Sequence, residues 1–432
     1  MNCVSAKPVG GCLGFLVAGM LSVGWDWPRW EGPRGDGHIP PGMPVPAAVP
    51  AGLQPVWRAP LGSGLATPVV GGGRVLQLDM DGEQEVVRAY DANEGRLLWT
   101  VPLDGVFRDH LPVGPRAAAL IDGDRVYVQS CRGEFRCLAL ADGRTLWRVN
   151  FVRDFGAQFH GEVGDAMGAA RHGYTGAPWV SGDRLYVAVG GQPGHGVVCL
   201  DKFTGKKIWS STDEPAAYAG PVLATIGGRP QLLVFTATAL MGLRPDDGHW
   251  IWRCPVTTAF GRHITVPRGV GDLVLASSHQ VGLFAVRPPS EGDAVSLSPV
   301  WVARTNAVNV APLIVVGRHV YSLGPSRRLQ CVEVESGRRC WSQENFSGAP
   351  LRHDWAGLIG MGDRILVLAG NGRLLIMAAN PEKFQVLSGP EQICGPTWSL
   401  PAWDGRRLYL RDEAALMAFE LPTMETSKKS VP

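Results

Sequence analysis

The sequence predicts an all-β fold: an eight-bladed β-propeller of four-stranded blades, its ring closed by an N-terminal strand. Three observations carry this. A turn glycine followed four residues later by tryptophan recurs at Gly95–Trp99, Gly143–Trp147, Gly205–Trp209, Gly248–Trp252 and Gly337–Trp341. Glycine (56) and proline (34) are abundant in the 432 residues without a collagen-like period, which suits a chain of many turns. Short β-branched runs separated by turn signals every 8–12 residues or so mark all-β architecture. Self-similarity at a fixed period decides the fold before any other feature does.

Each unit reads alike. A short first strand, with proline near its start, is followed by a Gly/Asp turn such as Gly71–Arg74, Asp122–Arg125 or Ser181–Arg184. A solid β-branched run comes next, then a third strand, and the fourth strand carries the tryptophan. Units open near Thr67, Gly114, Gly176, Gly220, Thr265, Val310, Trp355 and Gly395. Unit five replaces its glycine turn with a longer Pro/Ser/Glu segment before Trp301, and unit seven has Val386 where tryptophan is expected. Unit eight stops before its fourth strand, while a strand ending at Trp57 stands alone before unit one. One closing strand accounts for both the surplus and the deficit. Trp57, Trp99, Trp147, Trp209, Trp252, Trp301 and Trp341 are therefore structural, each packing on the neighbouring blade so that no sheet edge is left long and bare.

The propeller is expected over 54–421, preceded by an extended arm at 25–53 and followed by a disordered tail at 422–432. The arm is too rich in proline and glycine for a helix or an inner strand; Trp25, Trp27 and Trp30 are its expected anchors on the domain surface. Residues 1–24 read as a signal peptide. Lys7 precedes the apolar stretch Pro8–Gly24, which is too short to span a bilayer, and Ser22-Val23-Gly24 is a small-x-small cleavage candidate. The expected location is exported, periplasmic or associated with the cell envelope, with no transmembrane segment in the mature chain.

Export permits disulfides. Seven of nine cysteines follow Gly24, and Cys331–Cys340 and Cys131–Cys137 each flank a turn, so both are candidate pairs; buried free thiols acting as small apolar residues are the alternative. There is no haem-attachment or zinc-type Cys-x-x-Cys spacing. A formal net charge of +2, without long runs of one sign, gives no pull toward nucleic acid or an acidic membrane, and no nucleic-acid partner is expected.

The motif D-x-x-T-G-x-x-x-W, clearest at Leu200–Trp209 and Ala89–Trp99, resembles the repeat of the pyrroloquinoline quinone (PQQ) propeller superfamily. The segment Trp27–Gly37 is similar to the lead-in of exported PQQ-like propellers. That superfamily holds quinoprotein dehydrogenases and also non-catalytic members such as the outer-membrane assembly factor B subunit. The resemblance to the enzymes is the poorer one, because their adjacent Cys-Cys pair and quinone-site carboxylates have no counterpart here. It implies no cofactor, PQQ included, and a monomeric scaffold that binds a protein or a small anionic ligand on its loop face. A quinone-dependent dehydrogenase or a metal-assisted enzyme is the alternative.

Loops carry function on rigid scaffolds. In the loops that enter successive blades, Asp109-His110, Arg171-His172, Arg262-His263 and Arg352-His353-Asp354-Trp355 recur in one frame, with Tyr174, Tyr218, Asn306, Asn309 and Trp398 nearby. Cationic and aromatic groups converging at one channel mouth would suit an anionic ligand. The bland alternative is that these polar groups satisfy loop backbone around a water-filled channel. The longest connection, Asn150–Thr175, carries His160, Glu162, Asp165 and His172. Their ligand chemistry fits a metal but their spacing matches no motif, so no metal site and no catalytic residue is assigned.

Overall fold

In the computed structural model, which describes Met1 and residues 25–292, 294–324, 327–347 and 355–424, eight antiparallel sheets follow one another around a ring. They span 69–105, 120–150, 179–211, 222–255, 268–303, 314–343, 356–392 and 402–420. The last sheet has three strands of its own, and Trp57–Pro60 supplies the outer one, pairing Trp57 with Ala418. The propeller and its closing strand are thus as expected. The export signal (apart from Met1), Arg352, His353, Asp354 and the tail from 425 lie outside the described residues.

A repeated cross-strand row joins the blades. Tyr127, Cys137 and Trp147 stand side by side on three adjacent strands, as do Tyr186–Cys199–Trp209, Tyr321–Cys331–Trp341 and Tyr409–Ala418–Trp57. The middle residue is small, so the flanking rings lie about 6 Å apart across it; Tyr127 and Trp147 have centroids 6.0 Å apart. Beside each of the five motif tryptophans the pairing slips by one residue, at Thr145/Trp147, Cys199/Leu200 and their equivalents. Such a bulge re-aims a side chain. The indole of Trp147 reaches the next blade and donates to the Lys202 carbonyl at 3.0 Å, and the Tyr127 hydroxyl donates to the same oxygen at 3.1 Å. Trp209 and Tyr186 share the Pro245 carbonyl, and Trp57 and Tyr409 share that of Ala92.

The turn glycine serves the same joint. A Cβ at Gly205 would sit 2.6 Å from the Trp147 ring, and at Gly248 2.5 Å from the Trp209 ring; both glycines have positive φ. Glycine is required there by conformation and by space together. The row also explains three cysteines. Cys137, Cys199 and Cys331 fill the small position opposite tryptophan, and all seven described cysteines are free thiols, so neither Cys331–Cys340 nor Cys131–Cys137 is bridged.

Where the motif lapses, other chain covers the edge. Blade five offers no turn carbonyl, and Trp252 instead donates to Gln231 of its own blade at 2.6 Å. It is still buried in one cluster with Val274 and Phe284 of blade five, as the expected packing on the neighbouring blade requires. The segment replacing that turn sends Val295–Ser296 back to blade four as a fifth, parallel strand. At blade seven, where Val386 replaces tryptophan, the arm runs past and Ser388 Oγ accepts from the Val49 N–H at 2.9 Å.

The arm itself is not a surface strap. It runs round one end of the channel, touching the inner strands near their first turns. Trp27 bonds Val70 of blade one in both directions, and the Pro28 carbonyl accepts from Ile121 of blade two. Arg29 lies 4.6 Å over the Trp179 ring of blade three. Glu31 and Arg268 of blade five form a buried ion pair, and Arg268 also donates to the Gly35 and Leu313 carbonyls. Ile39 bonds Gly360 of blade seven, and the Pro44 carbonyl accepts from Trp403 of blade eight. Trp27 is 1% exposed, so it is a core residue and not a surface anchor. The arm ends by pairing Val45–Pro46 with Thr423–Met424, so the expected tail begins as a strand.

Candidate functional site: a blind channel and its rim

With the arm across one end, the channel becomes a pocket of about 270 Å³ open toward the loops that enter the blades. Arg29 and Trp30 of the arm form its floor, and Arg116, His172, Tyr218, Arg262 and Trp398 stand around it. The Trp30 indole N–H is buried without a hydrogen-bond partner. So is the Arg29 Nε–H, and burial lowers the Arg29 pKa against the opposing pull of Asp122. Guanidinium groups and aromatic rings thus line the pocket together.

The rim is organised by Asp109. Its side chain is fully buried and accepts from Arg116 at 2.7 and 3.0 Å and from His172 Nδ1 at 2.9 Å. Burial pushes its carboxyl up, but hydrogen bonds from His172 and Arg116 outweigh this and hold it well below the usual carboxylate range. Arg116 also donates to the His172 carbonyl at 2.5 Å. Beside them His110, exposed, meets Glu162, whose loop folds back from the long connection. One ligand atom from each of His110, Glu162 and His172 lies within 4.8 Å of the others, the grouping among the described residues with metal-ligand geometry. His160 and Asp165 stand apart from it and line a second cavity beneath the same loop.

The other predicted residues separate. Arg262 lines the channel pocket. Arg171 does not; its guanidinium lies 4.1 Å over the Phe260 ring and donates to the Gly164 carbonyl. His263 is fully buried, donates from Nδ1 to the Thr236 carbonyl at 2.7 Å and stacks 4.1 Å from Phe235. Burial lowers its pKa to about 4, so it is a neutral core histidine. Tyr174 is buried and donates to the Val189 carbonyl. Trp355 is buried too, its indole bonded to the Thr397 carbonyl and stacked on Trp398, so it backs the pocket wall without lining it. Asn306 is buried and donates to Gly337, while Tyr218 and Asn309 reach the pocket. Sequence reasoning missed Arg29, Trp30, Arg116 and Trp179. For Arg116 a signal existed: it follows Asp109 within the same loop.

Behind the rim, Glu85 is buried and accepts from the Cys131 N–H at 3.1 Å, while its Oε1 has no partner. Burial raises its pKa to about 7. No described helix is long and apolar enough to cross a membrane.

A family model described as outer membrane protein assembly factor BamB matches residues 52–171 and 83–343. No curated protein matches the sequence. Among solved structures, BamB from Moraxella catarrhalis superposes with a TM-score of 0.55 at 14% identity, covering 86% of this chain and 100% of that one. The quinohemoprotein alcohol dehydrogenase from Comamonas testosteroni gives 0.59 at 15% identity, covering 94% and 82%. At these identities the likeness is one of fold.

Proposed function

This chain belongs to the family described as outer membrane protein assembly factor BamB, and from that premise we propose that it is an exported, non-catalytic binding or assembly scaffold of the cell envelope that takes an anionic ligand or an acidic segment of a protein in its blind channel. The observation that carries this reading is the pairing of Arg29 and Arg262 in one pocket, with no carboxylate bonded to either guanidinium among the described residues. Arg116 in the same wall is already neutralised by Asp109 and serves to hold the rim. A charge-assisted, two-pronged contact to a carboxylate, sulfate or phosphate suits guanidinium geometry. Trp30, Trp179 and Trp398 would cover the apolar body of the ligand. Export is supported by the apolar stretch Pro8–Gly24 after Lys7.

Equilibrium binding of an anionic aromatic probe, anilinonaphthalene sulfonate, tests the pocket. One site per chain, weakened by Arg262→Ala, is the expected result. Binding that Arg262→Ala leaves unchanged sinks the reading.

A further inference from the structure

We infer that His110, Glu162 and His172 form a binding site for a divalent transition-metal cation of the zinc class, which fastens the long Asn150–Thr175 connection to the channel rim. The argument is geometric. Two imidazoles and one carboxylate converge with ligand atoms within 4.8 Å of one another. Mixed nitrogen and oxygen donors favour zinc-like cations, whereas calcium and magnesium want oxygen alone.

Two of the three ligands, His172 and Glu162, are held by a further hydrogen bond, as metal ligands commonly are. Asp109 binds Nδ1 of His172 at 2.9 Å, fixing the ring's orientation and tautomer. Asp109 is fixed in turn by Arg116. Glu162 Oε2 accepts the backbone N–H of His110 at 3.0 Å, which places the carboxylate beside the two imidazoles. The rings of His110 and His172 stand edge to face with centroids 5.2 Å apart. An ion pair between His110 and Glu162 alone would need neither His172 nor the buried Asp109–Arg116 support behind it.

The ligands come from two loops. His110 enters from the connection between blades one and two, and Glu162 and His172 from the connection between blades two and three. Within the latter loop His160 and Gly161 bond the Ala170 carbonyl, and Gly168 and Ala169 bond the Phe260 and Ala216 carbonyls outside it. A cation would add a cross-link between the two loops.

Titration of the full chain, first stripped with a chelator, tests this with Zn²⁺ by calorimetry and Co²⁺ by visible absorption. The expected result is one ion per chain, a cobalt ligand-field spectrum, and affinity reduced by about 100-fold or more in His110→Ala and in Glu162→Gln. His160→Ala, outside the cluster, should bind as the wild type does. Both exposed-ligand variants leave the core untouched, and far-UV circular dichroism confirms their fold. Absence of saturable binding by the wild type, or binding lost in His160→Ala but kept in His110→Ala, overturns the inference. The channel reading has a different readout, so either can fail alone.

Discussion

The indole N–H of Trp147 in blade two donates to the main-chain carbonyl of Lys202 in blade three at 3.0 Å, and this contact, repeated around the ring, is how one blade holds the next. Its equivalents give the first prediction. Trp209→Ala removes a buried ring and should cost about 3–5 kcal/mol. Gly248→Ala, which forces a Cβ against that ring at positive φ, should cost about 1–3 kcal/mol. Because the two residues touch, the double variant should lose less than the sum. Chemical denaturation of the four proteins measures the coupling; additive losses would contradict the joint.

The buried pair Glu31–Arg268 pins the arm to blade five. Glu31→Gln leaves Arg268 charged and buried, and should destabilise the protein by about 3–5 kcal/mol. Replacing both residues with Gln and Met should recover much of the loss. Hydrogen exchange at Trp27–Gly37 should rise in the single variant and not in the double.

The propeller was legible because its evidence is local and repeated: glycine and tryptophan at a constant spacing, in five copies. Even the closing strand followed from counting, since Trp57 was surplus where blade eight was short. The arm's course was not legible. Its prolines and glycines carry no periodicity, and contacts such as Glu31 with Arg268 join residues far apart in sequence. The recurring Arg-His pairs located the loops that meet at the channel, but not which side chains face it. His172 and Arg262 line the pocket while His263 and Arg171 turn away, because loop backbones after different blades take different paths. Copies of one sequence frame do not guarantee copies of one orientation.

Two buried groups set opposing pH dependences. His263, lowered to about 4, is neutral in the fold. Its contribution is present above its unfolded pKa of about 6.5 and is lost as pH falls toward 4, by up to about 3 kcal/mol. Glu85, raised to about 7, is protonated in the fold at mildly acidic pH. Its contribution is present below its unfolded pKa of about 4.3 and is lost as pH rises through 7. The two windows overlap, so Glu85→Gln should remove the fall in stability between about pH 4.3 and 7 and leave the rise that His263 gives between about pH 4 and 6.5. Urea midpoints between pH 4 and 9 read both; a Glu85→Gln profile parallel to that of the natural chain between about pH 4.3 and 7 would contradict the assignment.

Asp109 supports the rim through Arg116 and His172. Asp109→Asn should lower stability by about 3–5 kcal/mol, because Arg116 is left buried without its counter-charge. It should also weaken probe binding in the channel more than Arg171→Ala does, since Arg171 faces Phe260. Equal effects from the two variants would mean that the rim is not organised as described.

Under the proposed function the channel binds a ligand and does no quinone chemistry. The most direct measurement is the absorption spectrum and native mass of the chain purified from its own envelope, beside Arg262→Ala prepared in the same way. The expected result is no quinone chromophore, and an anionic molecule or protein partner that is retained by the natural chain and lost from the variant. A quinone present at one per chain would contradict it.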